Sequence, residues 1–592
     1  MKFIFGSLYL VVLGVIFFVL FSVKKYRNSI KVNWKSIAIF TICTFIVGNA
    51  LLYLFLRQES FISVWEHGGY WKKVLELNKM MDESVKGSLL YVFQSIQVEE
   101  YPYLVQLFLS TPIRILGNTF PIFVLTMYNL FLMPFNILMY AFSLLVAQDL
   151  GKDNKNVKVI LGIIIGFFAA NVMPMISGYV GVACLPILLS VIILLYCRVL
   201  EEKISVYSIY MGFSFLLIVL MRRWFAFTVV GFFLGCGFVY LFRWWKEKQD
   251  FKTTVLPLFI NFFIAGIIPL TLLYFVFHGF FQRAVGTDYG SSFAIMASDS
   301  PLQSLMLVIE HYGYLYFGLS IFGAFHAIRE EKTRYFSAVS FILVLFSLIT
   351  LSSIQVMGTH HFYTVNIFML YFICFGFYKL FSFLRKELVQ RTIIVVVSAI
   401  LLINTSYIFT QKQLVEVRKI SNLLISTSFP ELRIRDDIDI IREITNFIRH
   451  SVGDSSVYVL GSSIIFSEDI IQNSLLPYEL TPISNLASSK VWDIRDGAPK
   501  QFFYYQYILI SDPIQYQFDP TEQRVVGIFA EEIMYNGILT PYYDEIKSYT
   551  ITGGITVKIY KRNTEIPQGV KDAISDIFKS YYPEHPYLYE FD

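Results

Sequence analysis

Residues 204–242 read ISVYSIYMGFSFLLIVLMRRWFAFTVVGFFLGCGFVYLF: two apolar runs joined at Arg222-Arg223. Each run is long enough to cross a hydrocarbon layer as a helix, since about 20 residues rising 1.5 Å each cover ~30 Å. The pattern recurs along the chain. Apolar runs fall near residues 3–22, 36–56, 119–147, 157–173, 177–197, 204–221, 224–242, 254–277, 303–327, 335–353, 363–383 and 392–410, about twelve spans in all. Of 592 residues, 56% are hydrophobic and 16% charged, with a mean hydropathy of +0.58. That balance excludes a soluble protein of this length and predicts a polytopic α-helical membrane protein. No small-residue cleavage site precedes Lys24-Lys25-Tyr26-Arg27, so the first run is expected to be a retained helix rather than a signal peptide.

Loop charge sets the orientation. Lys24, Lys25, Arg27, Lys31 and Lys35 follow the first span; Lys152, Lys155 and Lys158 the third; Arg243, Lys246, Lys248 and Lys252 the seventh. Arg329, Lys332 and Arg334 follow the ninth, and Arg385, Lys386 and Arg391 the eleventh. All fall on one face, which is therefore read as cytoplasmic, with both termini outside. Arg222 and Arg223 break the rule, because they lie at the outer boundary. Two readings are open: snorkelling to outer-leaflet phosphates, or a dedicated anionic ligand.

Three outer segments are long enough to do chemistry: 57–118, 278–302 and 354–362. In the first, Trp71–Met81 and Ser88–Ile96 mix apolar and charged residues as amphipathic interfacial helices do. From residue 411 the composition is that of a soluble α/β domain. Glu431–His450 and Glu522–Met534 read as helices. Val457–Gly461 and Tyr507–Ser511 read as buried strands, and Tyr549–Tyr560 as a hairpin about Gly553-Gly554. The order predicts a small three-layer sandwich over 411–592, beside a membrane module over 1–410. The five cysteines lie in apolar runs and read as small buried residues, with no disulfide framework.

Ionisable residues near the spans gather on the outer side: Glu66, His67, Glu99, Glu100, Arg222, Arg223, Glu310, His311, His360 and His361. The stretch Ser63-Val64-Trp65-Glu66-His67-Gly68-Gly69-Tyr70-Trp71 sets a carboxylate among aromatics just outside a span. Apolar surroundings raise a carboxylate's pKa and favour a role as proton acceptor. The bland reading is an interfacial aromatic belt with a solvated Glu. His360 and His361 are adjacent and diverge in most backbones, so they are weak metal ligands. Val459-Leu460-Gly461-Ser462-Ser463 has one Gly and no Lys, and reads as a strand-to-helix turn rather than a phosphate loop. Basic patches interleaved with aromatics, as nucleic acid needs, are absent from the sequence.

A span, an acid early in a long outer loop, amphipathic helices, and then Glu99-Glu100-Tyr101-Pro102-Tyr103-Leu104 opening the next helix: this layout resembles the GT-C class of polytopic glycosyltransferases. The resemblance covers about 36–410 in layout, and its motifs only 63–71 and 99–104. It implies a polyprenyl-phosphate sugar donor, inversion at the anomeric carbon and a catalytic acid in the first outer loop. Glu66 stands where many members have Asp, and only Pro102 and Leu104 match the family's helix-entry element. Glu66 and Glu100 are then the candidate catalytic acids, with Glu99 as a further possibility for the base. Arg222 and Arg223 would hold the donor phosphate. Trp65, His67, Tyr70, Tyr101, His360, His361 and Tyr363 would contact substrate. No cofactor is implied, and a divalent cation stays open.

The leading expectation is a plasma-membrane enzyme, multi-pass, that transfers sugar to a cell-envelope glycan or protein outside the cell. Its partners would be the donor lipid, the acceptor and membrane lipid, without nucleic acid. A lipid-linked glycan polymerase or flippase-like assembly protein is the alternative. A solute transporter is a third, although neither broken helices nor midplane polar groups are evident in the sequence.

Overall fold

The structure is a computed structural model. It describes residues 8–22, 34–151, 154–201, 204–248, 250–297, 300–384, 386–406, 408–409, 415–489 and 492–591. The basic loop 24–31, Lys152, Asp299 and Arg385 lie outside the described residues. The chain forms two compact units, Met1–Arg57 with Lys73–Glu431, and Gln58–Lys72 with Leu432–Asp592. The boundary expected at 410/411 falls at 431/432, and a piece of segment 57–118 joins the second unit.

The first unit is a helical membrane module. Among the described residues eight helices are long and apolar enough to cross a membrane, nine if a bent pair counts as one. Shorter apolar helices add Tyr9–Phe18, Leu104–Leu116, Val180–Tyr196 and Tyr207–Met221. All twelve expected spans have a helical counterpart; Leu104–Leu116 is apolar but lies in no expected span. Phe120–Asp149 holds a π turn at Tyr128–Leu132, just before Pro134, which has no N–H for the carbonyl four residues back. The ninth span departs most from expectation. Pro301–Tyr312 and Tyr314–Arg329 meet at 102°. Gly313 makes the break at φ +80°, where a Cβ would sit 2.6 Å from the Leu424 carbonyl oxygen, so only glycine fits. The amide of Ser426 reaches the Tyr312 carbonyl there (3.4 Å).

Small residues set the helix spacing. A Cβ on Gly323 would lie 1.9 Å from the Phe372 carbonyl oxygen, and one on Gly376 2.5 Å from that of Leu319. Tyr314–Arg329 and Asn366–Phe383 therefore touch backbone to backbone, the geometry that gives dispersion contact where lipid offers no hydrophobic drive. Four cysteines are buried as expected; Cys43 is exposed instead, because the face of Trp34–Leu56 that carries it is left uncovered.

The second unit is built on a five-stranded sheet ordered β2-β1-β3-β5-β4. β1 (Val457–Leu460) runs parallel to β2 (Leu486–Ser488) and to β3 (Tyr507–Asp512). β5 (Thr556–Arg562) is antiparallel to β3 and to β4 (Tyr543–Thr550). The β4–β5 turn uses Gly553 and Gly554 at positive φ, as the hairpin reading requires. One apolar core holds Phe502, Phe529 and Phe578, from the side of Arg524–Met534 and Gln568–Tyr581; the other holds Ile441, Ile444 and Ile448, joined by Ile62 and Val64. This is the expected three-layer sandwich. The helix expected from Glu431 starts later, at Ile438–Phe447. Arg433 is engaged by the Glu59 carboxylate (2.6 and 2.7 Å), and Ser60 pairs with Ile434 as a parallel bridge, which holds 432–435 extended.

Candidate active site

Helix Tyr207–Met221 ends where Arg222 turns to φ −153°, its N–H still bonded to the Ile218 carbonyl (2.9 Å). Phe225 and Ala226 then bond back to Arg222 and Arg223 (3.0 and 2.9 Å), starting Phe225–Glu247. Both arginines therefore occupy a short turn at the positive end of a 23-residue helix dipole. Arg222 is buried, 7% exposed, and its guanidinium lies 5.0 Å from the Tyr101 ring centre. Arg223 sits among three rings, Tyr101 at 5.7 Å, Trp224 at 5.3 Å and Tyr289 at 4.8 Å. It forms an ion pair with Glu100, whose side chain is 53% exposed, and faces the Tyr289 hydroxyl at 3.4 Å. Its Nε is buried with no hydrogen-bond partner among the described residues. The pair of cations is largely buried. It is held by rings and a carboxylate.

The acidic element that meets the arginines is pinned from behind. Arg283 donates to the carbonyls of Ile96 and Glu99 (both 3.0 Å) and to that of Gln97, capping the end of Val85–Val98. Burial draws the Arg283 pKa below its usual value. Gly279 donates to the Gln97 side chain (3.0 Å) and has no room for a Cβ beside the Gln97 carbonyl. Lys73 bonds the Glu99 carboxylate and the Tyr101 carbonyl, and Tyr91 donates to Glu99 (3.1 Å). Tyr103 donates to Glu76 (2.6 Å); burial first, and then that carboxylate, push its pKa up. Glu99 is thus held by Lys73 and Tyr91, while Glu100 is the open acid beside the cations.

His361 packs edge-on to Trp224 at 5.0 Å, with His360 beside it at 4.0 Å and stacked on Tyr179 at 4.1 Å. The Gly358 N–H donates to His361 Nδ1 (3.0 Å). The Gln355 side-chain amide lies 2.9 Å from the other ring nitrogen, Nε2. Tyr363 is fully buried and donates to the Asn171 carbonyl (3.0 Å). It ties two helices together instead of offering a donor. No group of three or more His, Cys, Asp or Glu side chains is placed to hold a metal ion among the described residues.

Glu66, Trp65 and Tyr70 belong to the second unit. Trp65 opens helix Trp65–Glu83 in the left-handed region at φ 53°, its N–H bonded to Asp469 (2.8 Å). A bulky residue there is strained, and such outliers concentrate at functional segments. Tyr70 donates to Glu66 (3.2 Å). Gly68 faces its own chain: a Cβ would meet Ser63 at 2.9 Å. The glycine thus serves this turn. The His67 side chain lies outside the described residues. Tyr289 and Trp224 escaped the sequence reading. Their signal was an aromatic in the 278–302 loop and another directly after the arginines.

No protein-family model matches the chain, and no curated protein does. Among solved structures it is similar to ArnT from Cupriavidus metallidurans, in a structure bound to undecaprenyl phosphate and in one in the apo state. Identity is 12% in both. The matches cover 90% and 89% of this chain and 99% of those chains, with TM-scores of 0.46 and 0.48. At this identity, nothing about the site is carried over from them.

Proposed function

We propose that this chain is a membrane glycosyltransferase that uses a polyprenyl-phosphate sugar. The observation that carries the reading is the Arg222–Arg223 turn, buried at a helix N-terminus and boxed by Tyr101, Trp224 and Tyr289, with Glu100 alongside. The donor phosphate displaces the Glu100 carboxylate from Arg223, and both guanidiniums then take its oxygens. The acceptor oxygen bonds to the anomeric carbon as the carbon–oxygen bond to phosphate breaks. Its proton passes to a carboxylate, and the arginines hold the charge that grows on the leaving polyprenyl phosphate. Attack opposite the leaving group inverts the anomeric centre. The acceptor is an envelope glycan or protein outside the cell, the side on which the loop charges place the arginine turn.

Full-length protein in nanodiscs, given a polyprenyl-phosphate hexose and a glycan acceptor, tests the reading. Glu100→Gln and Glu66→Gln assign the base: the true one loses about 10²–10⁴-fold in turnover. Donor left intact by the wild type, with every acceptor tried, sinks the proposal. Transport is the second reading, and the break at Gly313 speaks for it, since discontinuous helices line many transporter sites. The freed Tyr312 carbonyl is met by the Ser426 amide, however, and Gly313 is closed in by backbone at Leu424 and Ile425. The break is sealed by protein and leaves no open ion site.

A further inference from the structure

A groove of about 500 Å³ runs between helices Trp34–Leu56 and Lys155–Ile176 in the membrane module, apart from the arginine turn. Its wall follows the first helix from Ser36 to Leu52, a rise of about 24 Å. Phe40, Gly162 and Gly166 form the middle, and Phe429 lies at the far end, where it packs on Phe55. Ile39 and Val159 line it and are exposed, so it opens sideways to lipid. Charge is confined to one end. Lys155 and Lys158 line that end, Lys35 precedes Ser36 on the facing helix, and among the described residues no acidic side chain lines the groove. The dipole of Lys155–Gly166 adds positive potential at the same end, and the exposed Trp34 marks headgroup depth.

We infer that this groove binds one anionic phospholipid of the inner leaflet, its phosphate between Lys155 and Lys158 and one acyl chain along Phe40, Gly162 and Gly166. The loop charges assign the lysine end to the cytoplasm, and the length suits an extended acyl chain and is short for a polyprenyl tail. Two lysines at headgroup level favour an anionic over a zwitterionic headgroup by about 30-fold. The inference does not depend on the proposed catalytic activity. The glycines leave room for the chain: a Cβ on Gly166 would meet only Phe40, at 3.8 Å, so a larger side chain would fill the groove without straining the fold.

Native mass spectrometry of the full chain, purified from mixed phosphatidylglycerol and phosphatidylethanolamine nanodiscs, reads the bound lipid by mass. The wild type should keep one phosphatidylglycerol, about 30-fold over phosphatidylethanolamine. Lys155→Gln with Lys158→Gln should erase that preference, and Gly166→Leu should abolish the adduct. An adduct that survives Gly166→Leu, a preference that survives the lysine changes, or retention of phosphatidylethanolamine or a polyprenyl phosphate instead overturns the inference. A variant that fails to fold is replaced by a reading on the wild type. Cys43 lines the groove and is exposed. An apolar maleimide should label it several-fold more slowly in phosphatidylglycerol than in phosphatidylethanolamine nanodiscs, and equal rates overturn the inference.

Discussion

Replacing Arg222 or Arg223 by Lys separates a phosphate clamp from a pair of snorkelling cations. Lysine keeps the charge and reaches the headgroup region equally well, so snorkelling alone predicts no change. It lacks the planar fork that takes two phosphate oxygens at once. One hydrogen bond to a charged group is worth about 1.5–3 kcal/mol, which is about 10- to 150-fold in kcat/KM. Stability should move far less. Glu100 is 53% exposed, and such half-solvated ion pairs contribute about 0.2–1 kcal/mol. Arg223 should show the larger loss, because its guanidinium plane is held by Trp224 and Tyr289 and a flexible ammonium cannot be oriented in the same way. The assay is transfer from a polyprenyl-phosphate sugar by full-length protein, with thermal unfolding in parallel. Wild-type kinetics in both Lys variants would refute the clamp. A rate loss matched by a large fall in Tm would refute the separation of binding from packing.

Three further outcomes are expected. Asp493 is buried and accepts bonds from the Val525 N–H (2.8 Å) and the Tyr582 hydroxyl (2.9 Å), yet burial pushes its pKa from 3.8 up to about 6. Its protonated form is favoured by folding, so its contribution is complete below pH ~4 and lost as pH rises through 6, ~3 kcal/mol in all. Hydrogen exchange of the β1 and β3 amides should be faster at pH 7.5 than at pH 5 after correction for intrinsic rates, and Asp493→Asn should remove the difference. Gly323→Leu should unfold the membrane module at markedly lower temperature, by about 3 kcal/mol or more, since overpacking here meets backbone and not a movable side chain; a Tm within one degree of wild type contradicts the packing described. Tyr478 is 88% exposed in the second unit. Tyr478→Cys in a Cys43→Ser background should react with an impermeant thiol reagent in intact cells, and protection until lysis would invert the topology.

The spans were legible because twenty apolar residues have few alternatives in water, and their helices fall where the apolar runs do. The arginine turn was legible because it breaks a charge rule. Its partners were not. Glu100, Tyr101 and Tyr289 approach Arg223 from segments 123 and 66 residues away, and no local periodicity encodes such a meeting. The break at Gly313 was hidden as well. One glycine in an apolar run reads as a tolerated defect, and only the backbone of Leu424 and Ile425 lying against it reveals its purpose. Residues 58–72 looked like membrane loop because they follow a span; their allegiance to the second unit rests on Ile62 and Val64 entering its core, two apolar side chains that a sequence assigns to no particular partner.

The reciprocal seating of Gly323 and Gly376 limits how this molecule can move. A slip of one helical turn, about 5.4 Å, would bring Leu319 or Ala327 to the place of Gly323 and drive side-chain carbon into the Phe372 carbonyl. Tyr314–Arg329 and Asn366–Phe383 are therefore locked in register and can travel only together, as one post. Any opening of the module has to be absorbed at joints without such a lock, where a helix already ends within a single turn.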